Sequence, residues 1–263
     1  MKLRSLYIFI LFFVLSCEDT TPTRDNPLDE EGGNYISPTI AILDIVDGDT
    51  LYSESIEFTW EGNEMVADFR YKLDYFEWAE WDESTSATLN YLDEGDHQLS
   101  VQSRYLSGDT SDMARVSFFV DAVVGPSLML YPRRHFAQAG EIVTFQILAE
   151  EVTNLMMSEI HLEYDPTMLE IMSILQGSFF QNGQNSIFLY EINAEVGAIQ
   201  INTTLLDGET PIVNGTGDLA IIEVKLLQSQ DAILDFTNQS TFIGRENNNI
   251  LINEKTNGII KIK

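Results

Sequence analysis

The sequence contains very little cysteine, since Cys17 is the only one among 263 residues. A single cysteine excludes an intrachain disulfide, a zinc cluster held by cysteines and a Cys/His catalytic pair within the folded part of the chain. The folded domains must therefore be stable through the packing of their apolar cores alone.

Positive charge is also scarce, because 14 Lys and Arg stand against 42 Asp and Glu, which gives a formal net charge of −28. Binding to nucleic acid requires clustered Lys and Arg that neutralise phosphates. This composition therefore argues against nucleic acid as a partner. An acidic surface of this kind resists association and favours solubility.

One acidic turn is a candidate for cofactor binding. Asp44, Asp47 and Asp49 lie close together in LDIVDGDT, and oxygen-rich turns suit calcium. Their spacing does not match the EF-hand loop, which needs a Glu at its last position. The three are candidate calcium ligands, and a solvated acidic turn is the alternative.

Common catalytic motifs are missing. The sequence contains no HExxH, GxSxG, P-loop or GxGxxG pattern. The three histidines, His97, His135 and His161, are far apart along the chain. Carboxylates are so abundant that any chosen pair says little about glycosidase chemistry. The sequence therefore favours a protein that is not an enzyme.

Only one long apolar run is present, at the start of the chain. The run LYIFILFFVL follows Lys2 and Arg4 and precedes Ser16 and Cys17. A positive start, a short apolar core and a small residue at the exit are typical of a secretory signal peptide. The run is shorter than the roughly 20 apolar residues of a spanning helix. Residues 1–16 are therefore predicted to be a signal peptide.

The order Val14-Leu15-Ser16-Cys17 resembles the lipobox of bacterial lipoproteins. In that family the cysteine is acylated and becomes the first residue of the mature chain. The resemblance implies that a lipid on Cys17 holds the exported protein in the cell envelope, with the outer membrane or the cell surface favoured. The alternative is an ordinary signal peptide whose cysteine is incidental.

Residues 17–37 are polar, acidic and rich in Pro and Gly. Because they have few apolar side chains to bury, they are predicted to form a disordered tether.

From Pro38 onward, short segments alternate between apolar and polar residues and are separated by turn signals. This pattern predicts an all-β chain with two β-sandwich domains in tandem, at residues 38–122 and 127–263. DPTMLEIMSI could hold a turn of helix before a strand. The predicted strands are 55–62, 68–74, 85–92, 97–105, 115–122, 127–132, 141–150, 158–164, 199–206, 219–227, 232–237 and 257–263.

The first domain resembles the immunoglobulin-like and fibronectin type III-like modules of bacterial surface proteins. The resemblance is carried by FTWEG, FRYKLD, the pair Trp78 and Trp81, and the segment STSATLNYLDEGDHQLSVQSRYLSGDTSD. These families are functionally diverse, so the resemblance implies a fold but not a particular function.

The second domain resembles the cohesin domain, part of a broader group of β-sandwiches that includes carbohydrate-binding modules. The matching motifs occur in order along nearly the whole domain. They are Ala139-Gly140-Glu141, Glu163-Tyr164-Asp165-Pro166, Gly197-Ala198-Ile199, Gly215-Thr216-Gly217-Asp218-Leu219-Ala220 and Gly258-Ile259-Ile260.

One strand of the second domain suggests a binding surface. Alternation along SEIHLEY directs Ile160 and Leu162 to the core and Glu159 and His161 outward, with Met157 just before them. In cohesins the outer face of this sheet meets the dockerin partner, and an acidic residue near the position of Glu159 contributes. The resemblance therefore implies a partner-binding face here, and a solvated face is the alternative.

The tryptophans suggest a second surface. Trp78 and Trp81 lie in a polar stretch between strands, where exposed rings could form a carbohydrate platform. Large aromatic side chains also fill or cover the cores of such sandwiches. A structural role is favoured for both, and Trp60 is predicted to lie in the core.

The leading functional hypothesis is a non-catalytic, membrane-anchored lipoprotein that presents a cohesin-like module for extracellular docking or adhesion, with a secreted dockerin-type protein as its partner. One alternative is a carbohydrate-binding surface lipoprotein of a polysaccharide-utilisation system. Another is a structural spacer.

Overall fold

The computed structural model describes residues 24–181, 185–206 and 211–263. The prediction of an all-β fold is confirmed, because these residues form strands β1–β19 and a single short 3-10 helix, Arg245–Asn247. The predicted signal peptide and Cys17 lie outside the described residues. Among the described residues, no helix has the length and apolar character that a membrane crossing requires.

Strands β1–β7 pair only with one another, and we call them the amino-terminal module. They form a three-stranded sheet, β1-β3-β5, and a four-stranded sheet, β2-β7-β6-β4. The strands are β1 (Ile40–Leu43), β2 (Asp49–Leu51), β3 (Ile56–Gly62), β4 (Asp68–Leu73), β5 (Ser86–Leu89), β6 (Gly95–Arg104) and β7 (Ala114–Val120).

Apolar residues at alternate strand positions form one core in this module. Phe58, Trp60, Leu99, Val101 and Phe118 are each at most 3% exposed, so the prediction that Trp60 lies in the core is confirmed. The strands predicted between residues 55 and 122 all form. Strand β2 was not predicted, because its three residues are too few to show a pattern.

Strands β8–β19 form the carboxy-terminal module, a sheet of 12 strands in two layers. One layer is β11-β14-β10-β8-β18, and the other contains β12-β13-β10-β15-β19-β9 with β16 and β17. The strands are β8 (Ser127–Tyr131), β9 (Arg134–Ala137), β10 (Ile142–Tyr164), β11 (Leu169–Gln176), β12 (Ser186–Asn193), β13 (Ala198–Leu205), β14 (Val213–Leu226), β15 (Ala232–Phe236), β16 (Thr241–Gly244), β17 (Asn249–Ile250), β18 (Glu254–Thr256) and β19 (Gly258–Ile262).

Strand β10 is 23 residues long and belongs to both layers. Its first half pairs with β8 and β14, and its second half pairs with β13, β15 and β16. The sequence pattern predicted two separate strands here. Irregular pairing around Glu151 and Asn154, which have positive φ angles, turns the chain between the layers without ending the strand, as β-bulges do.

The two halves of β10 enclose one core with their neighbouring strands. Phe145 and Ile147 come from the first half, Ile160 and Leu162 from the second, and all four are at most 1% exposed. The segment after Pro166 forms a turn and then β11, without a helix.

Two arginines join the modules. The Arg133 backbone N–H donates to Asp93 Oδ1 over 2.7 Å, and its guanidinium group, which is nearly fully buried, pairs with Glu54. Arg134 Nη1 donates to the Asn90 carbonyl over 3.1 Å. The Glu54 side chain is 47% exposed, so only the arginine end of this pair is buried, and removal of Glu54 would leave that buried charge without its partner.

Residues 24–37, the described part of the predicted tether, contain turns and neither helix nor strand. Their last residues contact the amino-terminal module, because the Tyr105 hydroxyl donates to the Ile36 carbonyl over 2.9 Å and the Asn63 amide donates to the Ser37 carbonyl over 2.9 Å. This end of the segment is therefore attached to the module.

Gly197 provides a test of how closely the turn before β13 approaches the end of β10. It has a φ angle of +69°, and an added Cβ would lie 1.9 Å from the Tyr164 carbonyl oxygen. We expect Gly197→Ala to lower the free energy of unfolding by more than about 2 kcal/mol, because left-handed strain of about 1 kcal/mol is joined by steric overlap. Urea denaturation measures this change.

Gly140→Ala is the matched control, because Gly140 also has a positive φ, +93°, but open space around an added Cβ. Equal losses of stability for the two variants would contradict the close approach at Gly197.

Candidate partner-binding face

The candidate site is the outer face of the layer formed by β12, β13, β10 and β16. Along β10 the side chains of Ser158, Ile160 and Leu162 point inward and are at most 1% exposed. Glu159 and His161 alternate with them and are partly exposed. The predicted division of this strand into an inner and an outer face is therefore confirmed.

The strand register places neighbouring residues in rows across this face. Glu159 lies opposite Asn202 of β13 on one side and Thr241 of β16 on the other. Asn202 in turn lies opposite Leu189 of β12. Residues directly opposite on paired strands have side chains in contact range, so Glu159 lies near the middle of a four-stranded surface.

Glu159 is held in place by two neighbours. Its Oε1 accepts a hydrogen bond from Gln200 Nε2 over 3.0 Å and lies 3.0 Å from His161 Nε2. The Glu159 side chain is 35% exposed and that of His161 is 19% exposed. The orientation of the carboxylate is thus set by these two side chains, and a group that is already oriented loses less entropy when it binds.

The same face has an apolar part that the sequence analysis missed. Ile187 and Leu189 of the edge strand β12 are 41% and 63% exposed, and Ile187 shares a row with Thr204 and Met157. Strand β12 was missed because SIFLYEIN is apolar on both faces and shows little alternation. Exposed apolar side chains beside an oriented charge are typical of a protein-binding surface.

Trp78 and Trp81 do not belong to this face. They lie on the amino-terminal module, where the Arg70 guanidinium carbon is 4.6 Å from the Trp78 ring centroid and 4.5 Å from that of Trp81. The Arg104 guanidinium carbon is also 4.5 Å from the Trp81 centroid. Cation–π contacts of this kind stabilise a fold and give Trp81 a structural role.

The acidic turn has structural partners. The carboxylates of Asp44, Asp47 and Asp49 accept hydrogen bonds of 2.6, 2.8 and 2.8 Å, one from the Thr59 hydroxyl and two from backbone amides. In residues 24–181, 185–206 and 211–263, the structure brings together no group of three or more His, Cys, Asp and Glu side chains that could hold a metal.

The three histidines occupy separate environments. His97 Nδ1 lies 2.8 Å from Asp74 Oδ2 beside the junction of the modules. His135 is packed edge-on against Phe145, and burial lowers its pKa. His161 alone lies on the candidate face.

The role of Trp81 can be tested by truncation. We expect Trp81→Ala to lower the free energy of unfolding by about 1–2 kcal/mol, because two guanidinium groups lose their aromatic partner. Chemical denaturation measures the change, and Tyr75→Ala, at an 84% exposed ring, is the control with little effect. A Trp81→Ala protein as stable as the parent would contradict the structural role.

Comparison with known protein families gives a match for the carboxy-terminal module. Residues 134–262 match the model of the cohesin domain family. The comparison with curated proteins returned no match.

Several solved structures are similar to this chain. A non-cellulosomal cohesin from the archaeon Archaeoglobus fulgidus is 19% identical, with 52% of this chain and 90% of that chain covered and a TM-score of 0.43. A type II cohesin from Bacteroides cellulosolvens is 15% identical, with 52% and 99% covered and a TM-score of 0.47. A type I cohesin–dockerin complex from Clostridium thermocellum is 15% identical, with 52% and 98% covered and a TM-score of 0.43.

The match to the family model covers all of the strands that form the candidate face. Over residues 134–262 this chain is therefore similar to the cohesin domain family.

Proposed function

We propose that this chain is a non-catalytic docking protein of the bacterial cell envelope, which presents its cohesin domain to a dockerin-bearing secreted partner. The observation that carries the proposal is the match of residues 134–262 to the cohesin family. Dockerin is the partner class because the resemblance to cohesins implies it.

The partner binds, in this proposal, on the outer face of β12, β13, β10 and β16. Glu159 supplies a charge that is already oriented by His161 and Gln200. Met157 and Leu189 supply adjacent apolar area. A charge near the centre of an apolar patch gives a partner both affinity and register.

The remainder of the chain has a supporting role in this proposal. A lipid on Cys17 anchors the exported protein, with the outer membrane or the cell surface as its location, and residues 17–37 connect the anchor to the folded modules. The amino-terminal module, with its immunoglobulin-like resemblance, then spaces the cohesin domain away from the membrane. Its contacts with Arg133 make the spacer rigid at the junction.

The docking face is tested by reversing its charge. We expect the double variant Glu159→Arg with His161→Ala to weaken binding to a dockerin module by about thirtyfold or more, because mispaired charge in an interface costs about 2 kcal/mol or more. Surface plasmon resonance against a panel of dockerin modules measures the dissociation constants.

Glu170→Arg is the control, since Glu170 is exposed on β11 in the other layer. Equal dissociation constants for the parent and the double variant would show that the partner uses a different face. A parent protein that binds no dockerin in the panel would refute docking to this partner class.

The lipid anchor is tested at its attachment site. We expect Cys17→Ser to move the protein from the membrane fraction to the soluble fraction and to abolish labelling by a clickable fatty acid, because no thiol remains to carry the lipid. Ser16→Ala retains a small residue before the cysteine and is the control that should stay in the membrane. A Cys17→Ser protein that remains in the membrane fraction would rule out anchoring by this lipid.

A further inference from the structure

A groove of about 790 Å³ lies between the two modules, away from the docking face. Its walls come from the end of β4 and the loop after it, and from β9 and the last two residues of the chain. Five of the 15 lining residues have aromatic side chains. They are Tyr71, Tyr75, Phe76, Trp78 and Phe136.

Two contacting rings in the lining come from different modules. The Phe76 and Phe136 centroids are 5.4 Å apart at an interplanar angle of 74°. The Arg134 guanidinium carbon lies 5.3 and 5.4 Å from these two centroids. Tyr75 at the rim is 84% exposed. The groove therefore depends on the tandem arrangement, and its rim offers an open aromatic surface.

The charge of the groove is the reverse of that of the chain. The side chains of Lys72, Arg134 and Lys263 line it together with one acidic side chain, that of Glu77, whereas the whole chain has 14 basic and 42 acidic side chains. His135 is the remaining basic side chain in the lining. Burial lowers its pKa, so it adds little positive charge near pH 7. A need for solubility does not explain a local excess of positive charge in so acidic a protein.

Arg134 is incompletely paired. Its Nη1 donates to the Asn90 carbonyl over 3.1 Å, but its Nε is buried and has no hydrogen-bond partner among the described residues. Asp93 lies near enough to attract it, although burial raises the pKa of that carboxyl group. Asp74 also attracts Arg134, and an anionic ligand in the groove would add to this counter-charge beside the unpaired Nε.

The other two cations are reachable from the open side. Lys72 Nζ lies 5.3 Å from the centroid of the Trp78 ring. The Lys263 side chain is 54% exposed, and its nearest carboxylate oxygen, on Glu141, is 3.9 Å away. Each can therefore turn toward a ligand without breaking a close ion pair.

We propose that this groove binds a short acidic oligosaccharide, with its uronic-acid carboxylates near Lys72, Arg134 and Lys263 and its sugar rings stacked on Tyr75 and Trp78. Aromatic rings offer large apolar faces, which match the C–H faces of sugar rings, and the cations select for acidic sugars. Repulsion from the rest of the acidic surface is screened beyond about 8 Å at physiological salt. The electrostatic energy of a short ligand therefore depends mainly on the charges of the groove.

Isothermal titration calorimetry of the full chain with an oligogalacturonate tests the proposal. A neutral galacto-oligosaccharide of equal length and a single-stranded oligonucleotide serve as comparison ligands. We expect the acidic sugar to bind, with an affinity that falls as salt is added. We expect Lys72→Gln and Lys263→Gln each to weaken it about fivefold, the effect of removing one partly exposed ion pair.

Tyr75→Ala should also weaken the binding of the acidic sugar. So exposed a ring can be removed without unfolding the module, so a loss of affinity in this variant reports on the groove and not on misfolding. Lys225→Gln is the matched control, since it removes one lysine from β14, outside the groove, and it should leave the affinity unchanged. Dockerin binding should be unchanged in every groove variant.

Four results would overturn the proposal. They are the absence of binding heat with oligogalacturonate, equal affinity for the neutral sugar, equal or tighter binding of the oligonucleotide, and an equal loss of affinity in Lys225→Gln. Because the groove shares no residue with the docking face, failure here leaves the docking proposal intact, and failure of docking leaves this one intact.

Discussion

The continuity of strand β10 is the constraint on which the carboxy-terminal module depends. One strand of 23 residues pairs with β8 and β14 in one layer and with β13, β15 and β16 in the other. Every buried backbone group needs a hydrogen-bond partner, and the irregular pairing near Glu151 and Asn154 turns the chain between layers with little loss of pairing. The candidate face begins directly after this turn.

Both proposed surfaces use residues whose geometry is set by their supports. On the docking face, the carboxylate of Glu159 is oriented by Gln200 and His161. In the groove, Arg134 is placed by the same junction that buries Arg133. The first surface needs only the carboxy-terminal module. The second needs both modules, because its lining residues come from each of them.

Much of the fold could be predicted because burial alternates along a strand. The period of two assigned Glu159 and His161 to the outer face, and it assigned Trp60 to a core that the structure confirms. The pattern failed where alternation is absent. It missed β12, whose side chains are apolar on both faces, and it divided β10 at a bulge that hydrogen bonds bridge.

The sequence by itself determined the all-β class, the core of each module and the inner and outer sides of the strand that carries Glu159, because these follow from local periodicity. Only the tertiary structure decided which strands lie beside one another. It placed Leu189 beside the row of Glu159, stacked Arg70 against the two indole rings, and brought Phe76 close to Phe136 across the junction. Such contacts join residues far apart in the chain, and no local pattern encodes them.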